Sequence, residues 1–300
     1  MLLEFSCENH KSIREEIEFS AIAGSGDEHP HNLLSIGSYS LLRTAVIFGA
    51  NGSGKSTLLD ALCFVRSAAL GESLKQTPHK LSSDAPSRYC IQFLADGTRY
   101  ALGFTLHGSV VCEEYLFYFP QGKQTKIYTR TENHLSTGVN FRKLHALSAN
   151  ALPADQLIFP LVCAADNRAV LQNAHTFFAD ILTPYHPDLD DHHMEKTVAL
   201  LRSNTKLKAA VLSILSVLDT GIVDLSLDGE QIATVYPSFS TDLLTEESGG
   251  IRRLIDFLFP LLDMIYHGKI LLCDEPEAHL HELLLHKLLH CLMQTNLPAA

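Results

Sequence analysis

Gly49-Ala50-Asn51-Gly52-Ser53-Gly54-Lys55-Ser56-Thr57 has the spacing G-x-x-x-x-G-K-[ST]. Thr44-Ala45-Val46-Ile47-Phe48, just ahead of it, reads as a buried parallel strand. The residues after it read as a helix with Leu58, Leu62, Val65 and Ala69 on one face. Strand, glycine loop and helix together form the setting that this spacing needs. Glycines let the backbone curl until successive N–H groups point at one spot. The helix N-terminus adds its partial positive charge there. A loop of this kind would cradle phosphates with Gly49, Asn51, Gly52, Ser53, Gly54, Lys55, Ser56 and Thr57. Lys55 would reach the β- and γ-phosphates and the Ser56 hydroxyl would hold Mg²⁺.

The chain has 300 residues, enough for a large core and two lobes. At 46% hydrophobic and 19% charged residues it has the composition of an ordinary globular protein. No apolar run approaches membrane-spanning length, so no membrane role is expected. Met1-Leu2-Leu3-Glu4-Phe5 has neither the basic start nor the apolar core of a signal peptide. Seven scattered cysteines without a C-x-x-C fit reduced thiols in a cytoplasm. A net charge of −11 argues against a generally basic surface, although a local groove could still take nucleic acid.

Leu2–Cys7 and Ile17–Ala21 read as short strands around Glu8-Asn9-His10-Lys11-Ser12-Ile13, and Gly24–Pro30 as a loop. Gly71–Pro86 is polar, rich in turn residues, and expected to be an exposed connection. Alternation then takes over. Tyr89, Ile91 and Phe93 lead to an Asp96-Gly97 turn, followed by Tyr100, Leu102, Phe104 and Leu106. Val110–Phe119 and Thr125–Thr129 complete an antiparallel meander. Phe141–Leu218 is mostly helical, with Leu207, Val211, Ile214 and Leu218 on one helix face and Gly221 as its stop. A hairpin turns at Asp228-Gly229. Ile251, Leu254, Leu258, Leu262 and Ile265 then mark a helix that Pro260 should kink. Lys269–Cys273 reads as a buried strand, and Leu284, Leu285, Leu288, Leu289 and Leu292 as a last helix.

Two further clusters carry chemistry. Ile270-Leu271-Leu272-Cys273-Asp274-Glu275 is an apolar strand ending in two carboxylates. With a phosphate loop in the same chain, Asp274 would join the Mg²⁺ shell and Glu275 would orient an attacking water as general base. Glu247-Ser248-Gly249-Gly250-Ile251 opens a helix with small residues, which presents bare N–H groups to an anion. By itself this segment reads first as an N-cap serine with flexible glycines, and its position some twenty residues upstream of the acidic strand turns the reading toward the anion site. The histidines do not make a metal pattern. His186, His192, His193 and Glu195 have no zinc spacing, and His286 and His290 lie on a polar helix face.

Phosphate loop, Glu-Ser-Gly-Gly and acidic strand, in this order and with long separation, resemble the ATP-binding-cassette class of ATPases. Within it the likeness is to the branch of SMC, RecF and OLD proteins and the AAA-labelled ATPases of bacterial abortive-infection systems. Phe5-Ser6-Cys7-Glu8-Asn9-His10-Lys11-Ser12 is similar to the family's opening motif, and Asp274-Glu275-Pro276-Glu277-Ala278-His279-Leu280-His281 to its OLD and RecF pattern. The resemblance implies two ATPs sandwiched between two heads. Ser248, Gly249 and Gly250 of one copy would touch the γ-phosphate held by Lys55 of the other. Asn9, Lys11 and Ser12 would lie near the nucleotide. Glu247 and Ile251 stand where transporter cassettes have leucine and glutamine, which argues against a transporter subunit. The late acidic strand and the absence of N-K-x-D disfavour kinase and GTPase readings. In the family, a further strand with a sensor histidine follows the acidic strand. Here the chain stops at Ala300, so a longer protein or a second chain is expected to complete the site. Gln92 and Gln172 are the candidates for the family's glutamine loop.

The expectation is an α/β protein, a P-loop ABC-type ATPase head with a parallel core sheet, an antiparallel subsheet and a helical insertion. Residues 1–140 would form the P-loop lobe with the subsheet, 141–220 the helical insertion, and 221–300 the signature and acidic-strand lobe. The expected cofactors are ATP and Mg²⁺. The expected function is an ATPase that dimerises around ATP and senses or scaffolds in phage defence, with a separate nuclease or toxin as effector. The alternatives are the ATPase part of an OLD-type nuclease, a RecF- or SMC-like repair ATPase, and a nucleotide-gated scaffold without turnover.

Overall fold

The computed structural model describes residues 1–26, 29–75, 77–149, 152–185, 199, 201–202, 204–218, 220–228, 231–276 and 285–286. The chain divides into two compact units, Met1–Leu182 and Thr183–Ala299. It is a mixed α/β protein with one large sheet and several helices.

In the first unit β1 (Leu2–Glu8) and β2 (Ile17–Ser20) are followed by a small hairpin of β3 (Leu33–Ile36) and β4 (Tyr39–Leu42). Helix α1 (Lys55–Ala69) comes next. Then come β5 (Ser87–Ala95), β6 (Thr98–His107), β7 (Val110–Phe119), β8 (Thr125–Thr131) and β9 (His134–Thr137). The expected meander forms, and β1 and β2 extend it to seven strands in the order β2-β1-β5-β6-β7-β8-β9. All six ladders are antiparallel. A tight turn joins β5 to β6. Asp96 and Gly97 both have positive φ (48° and 68°), the backbone that a two-residue hairpin requires.

One sheet face is the core. Alternation sends Phe5, Tyr89, Ile91, Phe93, Tyr100, Leu102 and Phe104 inward, all buried. From α1, Ala61, Leu62, Val65, Ala68 and Ala69 are buried, while Leu58 is only half-buried. Phe64 of α1 meets the rings of Tyr89 and Phe104 at 5.2 and 6.3 Å, which docks the helix on this face. Val139–Ala149 forms 3₁₀ turns. Two short helices follow, α2 (Phe159–Ala165) and α3 (Ala169–Thr176), and then a π-helical turn, Phe177–Ile181. Phe177 stacks on Phe93 at 4.1 Å.

One expectation needs correction here. Thr44–Phe48 belongs to no strand, and Val46 (50%), Ile47 (39%) and Phe48 (88%) are exposed. An apolar strand is buried only when it has neighbours on both edges and cover on both faces. Among the described residues nothing pairs with this segment. The stretch Gly71–Pro86 is a mostly exposed connection, as expected, with Leu74 buried and Asn9 anchoring its second half.

The second unit opens with β10 (Leu182–Tyr185), all but its first residue lying in this unit. Helix α4 (Thr205–Val217) has the N-cap Asn204 accepting from Leu207 N, and buries Leu207, Val211 and Leu215. The antiparallel strands β11 (Asp224–Asp228), β12 (Gln231–Val235) and β13 (Ser240–Asp242) follow. Helix α5 (Gly249–His267) runs through Pro260 and ends at Gly268 with φ 64°. Its Leu254, Ile255, Leu258 and Leu262 join α4, β11 and β12 in one core. β14 (Ile270–Cys273) is a strand as expected, but every residue is half-buried rather than buried. It pairs with β10 in a two-stranded sheet, so one edge has no described partner. The expected last helix falls outside the described residues except for Leu285 and His286, and so do Glu277 to His281, the polar stretch 186–195 and His290.

Candidate functional site

The phosphate-loop residues form a turn that closes on itself. Gly52 and Gly54 have φ of 79° and 97°, a conformation that strains any residue with a Cβ. A Cβ on Gly49 would lie 2.6 Å from Ser53 Oγ, so a larger residue there would make the Ser53 hydroxyl turn away. Gly54 is the N-cap of α1 and supplies no side-chain acceptor, and the first turn contains no acidic residue. The first amides of α1 therefore keep their hydrogen-bonding capacity and their share of the helix dipole. Lys55 Nζ folds over the loop and donates to the carbonyls of Gly49 (2.9 Å) and Ala50 (3.1 Å). Ser56 is exposed at the helix start. An ammonium, uncapped amides and a free-facing hydroxyl are the donor set that a polyphosphate with its metal ion requires.

The opening motif lies against this loop. His10 N donates to Ile13 O and Ile13 N to His10 O, closing a tight turn between β1 and β2. Asn9 is buried with φ 57°. Its amide nitrogen donates to the carbonyls of Ser82 and Ala85, and its Oδ1 accepts from His79 N. Asn9 is thus an anchor for the 79–87 loop. Ser12 Oγ lies 2.7 Å from Thr57 Oγ1. Lys11 Nζ pairs with Asp60 Oδ1 at 2.6 Å. A pocket of about 330 Å³ separates the turn from the loop, lined by Ser12, Ile13, Arg14, Gly52, Ser53 and Gly54 among others.

Asp60 escaped the sequence reading. It is the only acid on α1, one helical turn beyond Ser56, and that isolation was the available signal. Its second oxygen accepts from His10 Nε2 at 2.7 Å, which leaves His10 Nδ1 to accept from the Tyr89 hydroxyl at 2.8 Å. The hydrogen bond from His10, above all, holds the Asp60 carboxyl down to about 2. Burial opposes that shift, and Lys11 adds to it.

In the second unit Ser248, Gly249 and Gly250 are exposed at the start of α5, with Ser248 Oγ accepting from Ile251 N at 3.3 Å. Neither glycine has a positive φ, and a Cβ on either would meet open space. Nothing within the described residues requires glycine at these two positions. The anchoring role of Glu247 was not legible in the sequence. Its Oε1 accepts from the hydroxyls of Thr234, Tyr236 and Thr241, which fixes the segment to β12 and β13. Burial works against the charged form of Glu247, but these hydroxyls outweigh it and hold the carboxyl below its ordinary value. Asp274 follows β14 half-buried, and Glu275 is exposed with φ 46°. The two glutamine-loop candidates have structural partners. Gln92 links Glu4 to Arg99 across the sheet, and Gln172 donates to Cys163 O.

No curated protein matches the chain. Residues 45–160 match the family model described as "AAA domain, putative AbiEii toxin, Type IV TA system". The match takes in the phosphate loop, α1 and the meander, and ends at the start of α2. Among the described residues no helix is long and apolar enough to cross a membrane. Over these residues the chain is similar to the AAA domains that this description groups with abortive-infection proteins.

Proposed function

We propose that the chain binds Mg-ATP at the loop Gly49–Thr57, hydrolyses it slowly, and dimerises around it as the ATPase of a prokaryotic anti-phage system. The observation that carries this reading is the loop itself: two positive-φ glycines, a third packed against the Ser53 side chain, and an uncapped α1 that begins at Lys55. Lys55 and the loop amides would bind the phosphates and stabilise charge that develops on them. Ser56 and Asp274 would hold Mg²⁺, which when bound neutralises phosphate charge. Glu275 would orient the attacking water and take its proton.

The sandwich draws support from Gly249 and Gly250. Two consecutive glycines cost a helix about 1 kcal/mol each relative to alanine. The described residues give no steric reason for them, which fits a close approach by something else, here the γ-phosphate held by a second copy. A separate nuclease or toxin would then read the nucleotide state, in line with the toxin–antitoxin description of the matching family.

The test is thermal. Mg-ATP should raise the melting temperature of the chain, and Lys55→Ala should remove that shift while leaving the nucleotide-free melting temperature unchanged. Identical behaviour of parent and variant with ATP would end this reading.

A further inference from the structure

We propose that Asp60 is a positioning residue for nucleotide binding, acting through the turn His10–Ile13 to seat Ser12 on Thr57 at the mouth of the phosphate loop. The proposal rests on the nucleotide reading above. Asp60 takes no part in the loop. Its two oxygens are occupied by two consecutive residues of the opening turn, Lys11 on one and His10 on the other. His10 is buried and its second nitrogen is fixed by Tyr89 of β5, so this arm is anchored in the core of the unit. The ring of His10 also lies 5.8 Å from that of Phe64, one turn along α1. The turn is therefore clamped from both sides, by the sheet and by the helix that carries Ser56.

What the clamp fixes is the next residue. Ser12 Oγ bonds Thr57 Oγ1, and a Cβ on Gly54 would lie only 3.7 Å from the same oxygen. Thr57 and Gly54 flank Lys55 and Ser56. A turn released from Asp60 would free Ser12, and with it the side-chain restraint on Thr57 in the first turn of α1. Uncapped amides bind an anion tightly only when they are held in the converging arrangement beforehand. Lys11 has a second consequence. Paired with Asp60, its ammonium stays beside α1 at the edge of the loop instead of swinging into solvent.

A double-mutant cycle on the full chain tests this, with Mg-ATP affinity measured by calorimetry for the parent, Asp60→Asn, Ser12→Ala and the double variant. Asp60→Asn should weaken binding about tenfold, Ser12→Ala by a comparable factor, and the double variant no more than the weaker single one. Hydrogen exchange of the amides of residues 54–58 without nucleotide should quicken in Asp60→Asn. Parent-like affinity for Asp60→Asn, or losses that multiply in full, would overturn the proposal. If Asp60→Asn does not fold, Asp60→Glu enters the same cycle, with a smaller loss expected and the same lack of additivity. A parent that binds no ATP, indistinguishable from Lys55→Ala, would instead defeat the nucleotide reading and take this proposal with it.

Discussion

Glu114 and Arg130 face each other across β7 and β8, 3.6 Å apart, with neither side chain reaching solvent. The carboxylate also accepts from the Tyr128 hydroxyl and from the amides of Ile158 and Phe159. The guanidinium donates to the carbonyls of Glu132, Pro153 and Gln156. The pair therefore ties the chain entering α2 to the sheet. A buried ion left without its partner costs about 3–5 kcal/mol. Glu114→Gln should lower the stability of the first unit by that amount, read from the urea midpoint. Glu114→Gln with Arg130→Met should be more stable than Glu114→Gln alone, because no charge is then stranded.

Gly138 sits where β9 passes the backbone of β8. A Cβ there would lie 1.9 Å from Lys126 O, and a main-chain carbonyl within a ladder cannot swing aside. Gly138→Ala should cost about 2 kcal/mol or more. Gly24→Ala, where a Cβ meets open space, should stay within about 0.5 kcal/mol of the parent. Parallel urea titrations of the two variants decide the matter.

Asp60 makes the stability of the first unit depend on acid. Its carboxyl titrates near 2 in the folded chain, below the ordinary value of 3.8. A depressed carboxyl favours the folded state above its unfolded value, and that contribution is lost as pH falls through the folded one. The side chain is 40% exposed, so the contribution is reduced by solvent to about 1 kcal/mol. The stability difference between parent and Asp60→Asn should be constant above about pH 4 and shrink from there toward pH 2.

Glu275→Gln should leave Mg-ATP binding intact and lower turnover by about 10²–10⁴-fold, the usual weight of a general base. Radiolabelled ATP followed to ADP measures the second quantity, and the ATP-induced melting shift the first. A variant that turns over at the parental rate would remove Glu275 from the reaction.

Mixing two inactive chains tests the sandwich. Lys55→Ala abolishes one half of each site and Gly250→Asp, which puts a carboxylate against the phosphate, abolishes the other. In a mixed dimer one site carries both lesions and the other carries none. Turnover should therefore recover on mixing, to no more than about half the parental rate per dimer. Persistent inactivity of the mixture, with both chains folded, would place both halves of the site in one chain.

Much of this protein is written in local pattern. The phosphate loop is legible because only glycine supports the φ of residues 52 and 54, and the meander because side chains alternate at a period of two. The start of α5 was marked by Ser248 as its cap. Tertiary structure decided what depends on contacts between distant residues. Tyr89 and Asp60 make His10 a buried link, and Asn9 anchors the exposed loop that precedes β5. Apolar Val46-Ile47-Phe48 stands in solvent because hydrophobicity favours burial without supplying a neighbouring strand. The physical reason is the same throughout. Backbone conformation and periodicity are properties of a few adjacent residues, whereas a hydrogen-bond partner 50 or 79 positions away exists only once the chain has folded.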